Sequence, residues 1–259
     1  MEVCIDAKDN NVHYSIAKRK DTNMKVIDYR GTSEGKDFLQ DIQLFLDSSI
    51  VPVALSIFPF FTNECMALYS NVYSYFGTKA FPTGSLYFIN MADCIFERVR
   101  DKDSTAEIIV FGHSLGGATA NIIAGRKKVD SRTASPPGVS LGTKAFNFTT
   151  EDADSFMKSF IPERDLISNL GQNDGGKIVN IPCLEHSGMN CHSLVTTICL
   201  NAMYCREVEF TCLCYKKWKA WGEDCDKWSP SCLSFVESEF QGSCHRLRKL
   251  TSPSKCSLN

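Results

Sequence analysis

The 259-residue sequence predicts an α/β fold, a mostly parallel sheet with helices on both faces, followed by a cysteine-rich C-terminal extension. Three observations carry this expectation. Glu107–Asn121 reads as a buried strand, a tight turn and a helix in direct succession. Strand-like and helix-like stretches alternate along most of the chain. Beyond Tyr204 that regularity fades and cysteines cluster, which divides the sequence into residues 1–203 and an extension, 204–259.

Glu107–Asn121 organises the rest. Ile108, Ile109, Val110 and Phe111 form an unbroken apolar run, as in a strand covered on both faces. Gly112-His113-Ser114-Leu115-Gly116 follows, a G-x-S-x-G nucleophile elbow. Such an elbow holds its serine in a strained turn where strand and helix backbones pass closely, so the positions two before and two after it must be small. Leu115, Ala118, Ile122 and Ile123 then share one helical face. The helix ends at Arg126-Lys127-Lys128, where cations suit its dipole.

Upstream, residues 1–23 are polar and read as an edge element or a lead-in, and Met24–Arg30 as a strand entering the turn Arg30-Gly31-Thr32-Ser33. Asp37–Asp47 has a helical apolar face. Val51–Phe61 reads as a core strand or as part of a substrate-facing flap, and Glu64–Phe76 as a helix. Ser85–Arg100 is helical, with Phe88, Ala92, Ile95 and Val99 aligned. Downstream of the elbow helix, Pro136-Pro137-Gly138 marks a loop, Val139–Phe148 the next strand and Glu151–Ser159 a short helix. Phe160–Leu170 reads as a strand end opening into a loop, Lys177–Ile181 as a short strand, and Cys191–Met203 as a helix that begins near His192.

Apolar residues make up 43% of the chain and charged ones 22%, enough for a substantial core in one large domain. A net charge of −2 gives no electrostatic basis for nucleic-acid binding. The longest apolar run, Ile50–Phe61, carries two prolines and is too short to span a bilayer. The N-terminus lacks a basic region followed by an apolar one, which favours a cytoplasmic site. Thirteen cysteines, eight of them from Cys199 onward, point instead to disulfides and a secreted or lumenal site. No feature fixes an oligomeric state.

An elbow serine needs a base to take its proton and a carboxylate to orient that base. In α/β-hydrolases the chain order is serine, acid, histidine. The downstream carboxylates include Asp152, Asp154, Asp165 and Asp174, and the histidines are His186, His192 and His245. Asp165 is preferred because it lies at a strand end, where such a group can reach the base. His192 is preferred because it opens a helix after a loop; His186, on the same loop, is the alternative. The oxyanion donors are expected to be the N–H of Leu115 and that of Thr32. No metal or organic cofactor is called for.

Tyr29-Arg30-Gly31-Thr32-Ser33, Gly112–Gly117, Arg164-Asp165-Leu166-Ile167 and Cys191-His192-Ser193-Leu194 together resemble the class 3 (fungal-type) lipases over about residues 24–200. The resemblance implies acyl-ester hydrolysis of an acylglycerol by Ser114, Asp165 and His192, with Leu115 and Thr32 holding the oxyanion. Phospholipase A1, a general carboxylesterase, and an inactive lipid-binding or scaffold protein are the alternatives. It also implies a lipid-facing surface, in contact with a membrane or lipid droplet. Phe58, Phe60, Phe61, Tyr87 and Phe88 are candidates for an acyl groove or lid, or are core aromatics. Lys216-Lys217-Trp218-Lys219-Ala220-Trp221 mixes cations and tryptophan as interfacial segments do; a disulfide-tied or solvated tail is the alternative.

Overall fold

A computed structural model describes residues 12–31, 85–140, 143, 146–169, 175–185, 187–204, 214, 217 and 221. The expected elements at Asp37–Asp47, Val51–Phe61 and Glu64–Phe76 lie outside these residues, as do Thr32, His186 and most of the extension. The strands are β1 (Tyr14–Lys18), β2 (Met24–Tyr29), β3 (Glu107–His113), β4 (Ser131–Ala134), β5 (Lys158–Pro162) and β6 (Lys177–Ile181). The helices are α1 (Ser85–Lys102), α2 (Leu115–Lys127), α3 (Thr150–Phe156), α4 (Gly188–His192) and α5 (Leu194–Tyr204). The sheet order is β1-β2-β3-β4-β5-β6.

β1 is an antiparallel edge, running from Tyr14↔Tyr29 to Lys18↔Lys25. β2 and β3 are parallel, from Met24↔Glu107 to Tyr29↔Gly112, and β3 and β4 are parallel, from Val110↔Ser131 to His113↔Ala134. Parallel neighbours need a crossover. α1 lies in the connection from β2 to β3, and α2 makes the one from β3 to β4.

The chain divides into two compact units. The first comprises Met1–Ser159 and Ser168–Ile178, the second Phe160–Ile167 and Val179–Asn259. In the first, Ala92, Ile95 and Val99 of α1, three of the aligned positions, are joined by Phe96 and pack with Ile27, Tyr29, Val110 and Ile123. The fully buried Tyr29 donates its hydroxyl to the Ala92 carbonyl at 2.9 Å. Burial, followed by the Asp93 carboxylate and Tyr14, pushes its phenol pKa up. Arg126 of α2 pairs with Asp93 of α1 at 2.7 Å, and Lys127 with Glu97 at 2.8 Å, so the basic end of the elbow helix is fastened to α1. In the second unit, Ile181, Leu184, Leu200, Met203 and Trp221 form a core that includes the disulfides Cys183–Cys191 and Cys199–Cys214. Cys94 of the first unit is disulfide-bonded as well.

Two sequence expectations fail between Asp130 and Ser159. The strand after the elbow helix is β4, Ser-Arg-Thr-Ala, and the described residues of Val139–Phe148 form turns instead. β4 is polar yet buried because Asn121 of α2 satisfies it. Ser131 Oγ donates to Asn121 Oδ1 at 2.7 Å, Asn121 Nδ2 donates to Ser159 Oγ at 3.2 Å, and Thr133 Oγ1 lies 2.9 Å from Ser159 Oγ. A buried hydroxyl is tolerated when so paired. Val139, Phe146 and Phe148 do enter the core, beside Leu115, Ala118 and Ile122, but from a turn closed by Phe148 N–H to the Thr143 carbonyl at 3.0 Å. The helix expected over Glu151–Ser159 is α3, started by a capping box between Thr149 and Asp152, and it gives way to β5 at Lys158. The helix expected from Cys191 to Met203 is two helices, α4 and α5, broken at Ser193.

Candidate active site

Ser114 stands between β3 and α2 at φ 57°, ψ −128°, a conformation that L-residues rarely adopt. The surrounding backbone imposes it. Ser114 N–H donates to the Ala134 carbonyl at the end of β4, at 3.0 Å. Glycine is required where the chains cross. A Cβ on Gly116 would overlap the Tyr29 carbonyl oxygen, and one on Gly112 would overlap the carbonyl of Gly116. The seam between β2, β3 and α2 therefore has no room for a methyl group. Gly116→Ala is expected to destabilise the fold by about 3 kcal/mol or more, a melting drop of roughly 6–12 °C. Thermal denaturation by circular dichroism checks it; an unchanged transition would mean the backbones do not approach this closely.

Leu115 is the first residue of α2, so its N–H belongs to the unpaired first turn of a helix, the place expected of an oxyanion donor. A Cβ on Gly31 would meet the His113 carbonyl oxygen at 2.6 Å and Ser114 Cβ at 3.4 Å. The residue preceding Thr32 thus lies against the elbow, while Thr32 itself is outside the described residues.

In the second unit, Asp165 and His192 meet. His192 Nδ1 lies 2.9 Å from Asp165 Oδ1 and 3.0 Å from Oδ2. Asp165 is 0% exposed and His192 6%. The carboxylate is fixed further by the Ile167 N–H, which donates to Oδ1 at 2.9 Å. With Nδ1 turned to a carboxylate, the ring carries its proton there and leaves Nε2 as acceptor, the tautomer a general base needs. Large apolar side chains within three positions of the pair in sequence are exposed: Leu166 (54%), Met189 (46%), Leu194 (51%) and Val195 (42%).

The structure also displays residues that sequence reasoning passed over. Arg164, at φ 63°, donates to the carbonyls of Cys183 and Glu185. Glu185 in turn accepts from Lys217 and Trp221. Trp221 is only 3% exposed, so within the Lys216–Trp221 segment these two side chains are engaged inside the protein rather than presented to a membrane. Arg164 was visible as part of Arg-Asp-Leu-Ile, but nothing local marks Glu185. Among the described residues, no group of three or more His, Cys, Asp or Glu is arranged to hold a metal.

The elbow and the sheet that carries it put the molecule in the α/β-hydrolase class. Within that class, the sequence pattern described as lipase (class 3) matches residues 26–170, more than half of the chain, and the chain belongs to that family. Similar solved structures include a lipase from Rhizopus microsporus var. chinensis, 16% identical, TM-score 0.35, covering 66% of this chain and 57% of that one. Another is the native Rhizomucor miehei lipase propeptide complex, 15% identical, TM-score 0.34, covering 66% and 53%. A third is non-glycosylated Yarrowia lipolytica LIP2 lipase, 17% identical, TM-score 0.34, covering 65% and 60%. The chain thus spans little more than half the length of the first two. Comparison with curated proteins finds no match.

Proposed function

We propose that the protein is an acylglycerol lipase whose nucleophile is Ser114 and whose acid–base pair is Asp165 and His192. The observation that carries this reading is the buried carboxylate–imidazole contact, both carboxylate oxygens within 3.0 Å of Nδ1, downstream of an elbow serine in the family's order. His192 Nε2 takes the Ser114 hydroxyl proton as Oγ attacks the ester carbonyl. The imidazolium is stabilised by Asp165, and the N–H groups of Leu115 and Thr32 take the oxyanion. His192 then protonates the departing alcohol. Water, deprotonated by the same ring, releases the fatty acid and restores Ser114.

The exposed Leu166, Met189, Leu194 and Val195, close in sequence to Asp165 and His192, favour a lipid surface over a small soluble ester, since exposed apolar side chains suit an apolar partner. The disulfides favour an oxidising compartment, secreted or lumenal. No described helix is long and apolar enough to cross a membrane.

The test is hydrolysis of p-nitrophenyl esters, triacylglycerol emulsion and phospholipid vesicles, with Ser114→Ala beside the wild type. Serine-dependent fatty-acid release from the emulsion is expected. Release from vesicles alone would make the protein a phospholipase A1, and release from short soluble esters alone an esterase. No serine-dependent release from folded protein would leave a lipid-binding scaffold.

A further inference from the structure

We propose that Glu185 is a positioning residue for His192, braced by the C-terminal extension through Lys217 and Trp221. The proposal rests on Asp165 and His192 being the acid and base.

Three ties converge on the segment Cys183–Glu185. Arg164, the residue before Asp165, donates through Nη2 to the carbonyls of Cys183 and Glu185, both at 2.7 Å. Cys183 is bonded to Cys191, the residue before His192. Ser193, the residue after His192, donates through Oγ to Thr196 Oγ1 at 2.7 Å, and Thr196 Oγ1 donates to Glu185 Oε1 at 3.5 Å. Both chain neighbours of the base, and one neighbour of the acid, are thereby referred to the same short segment.

The extension holds that segment from the other side. Lys217 Nζ donates to Glu185 Oε1 at 2.6 Å and Trp221 Nε1 donates to the same oxygen at 3.2 Å. The Glu185 side chain is 13% exposed, so these donors supply hydrogen bonds that water would otherwise make. Cys214, Lys217 and Trp221 are each helical. Cys214 is tied by its disulfide to Cys199 of α5. Glu185 is thus the carboxylate on which donors from the extension and from α5 meet.

A general base works only within hydrogen-bond reach of the proton it takes, and a displacement of about 1 Å can cost on the order of 10²-fold in rate. Loss of the brace should act on turnover more than on binding. Glu185→Ala and Lys217→Met are expected to lower kcat on a soluble p-nitrophenyl ester by roughly 10- to 100-fold with KM little changed. Lys217→Arg, which keeps the ion pair, should recover most of the loss. The low-field proton resonance of the His192 Nδ1–H should shift or broaden in Glu185→Ala, which simple loss of stability would not produce below the melting transition. Lys217→Met removes one donor and leaves Glu185 in place, so it decides the matter if Glu185→Ala does not fold. Wild-type kcat and an unmoved resonance in the folded variants, with His192→Ala inactive, would overturn the proposal and leave the acid–base assignment standing. An active His192→Ala would instead remove that assignment, and the proposal with it.

Discussion

Ser114→Ala and His192→Ala are each expected to lower kcat by roughly 10⁶-fold, and the double variant to be no slower than either alone. In the proposed mechanism, nucleophile and base act as one unit. Without His192 the Ser114 proton has no acceptor, and without Ser114 the base has no nucleophile to activate. What survives either loss is the binding and oxyanion contribution, a residual of about 10³–10⁴ over water. Initial rates on one soluble ester give the three values, and labelling by a fluorophosphonate probe reports the same coupling directly. Wild-type protein should label, Ser114→Ala should not, and His192→Ala should label only slowly. His186→Ala should keep most of the activity, because the buried contact to Asp165 belongs to His192. If the two losses instead multiply, serine and histidine act independently and the mechanism proposed above is wrong. A dead His186→Ala beside an active His192→Ala would move the base to the other histidine.

The elbow was legible in the sequence because everything that shapes it is local. The apolar run, the glycines that permit the backbone crossing and the small residues of the first helical turns lie within Glu107–Asn121. Periodicity likewise found α1, whose buried Ala92, Ile95 and Val99 are the aligned positions. β4 was hidden because its burial rests on partners distant in sequence: Ser131 is fully buried and donates to Asn121, ten positions back on α2, and to the Phe156 carbonyl. A polar tetrapeptide has no alternation that could announce this. Val139–Phe148 misled in the opposite sense, since Val139, Phe146 and Phe148 are buried in the core while the described residues of the stretch are not strand.

Within the candidate site, Asp165 and His192 were chosen from the sequence by order and by their short flanking motifs. The geometry adds that they meet although 27 positions separate them. Glu185 gave no such signal. Its donors Lys217 and Trp221 lie 32 and 36 positions away, in a stretch that reads equally as a disulfide-tied tail, a solvated tail or an interfacial segment. Composition cannot tell a lysine that faces solvent from one that meets a nearly buried carboxylate. Only the fold brings the two together.

Asp165→Asn is expected to lower kcat by roughly 10³–10⁴-fold while leaving the protein folded. The substitution is nearly isosteric, and an amide oxygen can still accept the Ile167 N–H that now reaches Oδ1 at 2.9 Å. What changes is the proton on the ring. Both Asp165 oxygens face Nδ1, so the carboxylate can only accept there, and Nδ1 must carry the hydrogen. Asparagine can turn its NH₂ toward Nδ1 instead. The hydrogen then sits on Nε2, and the ring presents a donor where Ser114 needs an acceptor. Even the correct tautomer would lose the negative charge that stabilises the imidazolium, in a place where Asp165 is 0% exposed and solvent cannot substitute for it. The effect should therefore fall on kcat, with KM for a soluble ester nearly unchanged and the melting transition close to that of the wild type. Nitrogen-15 chemical shifts of His192 would read the tautomer directly, with the protonated nitrogen moving from Nδ1 to Nε2. A loss of less than tenfold with the wild-type tautomer retained would show that Asp165 does not govern the state of the base.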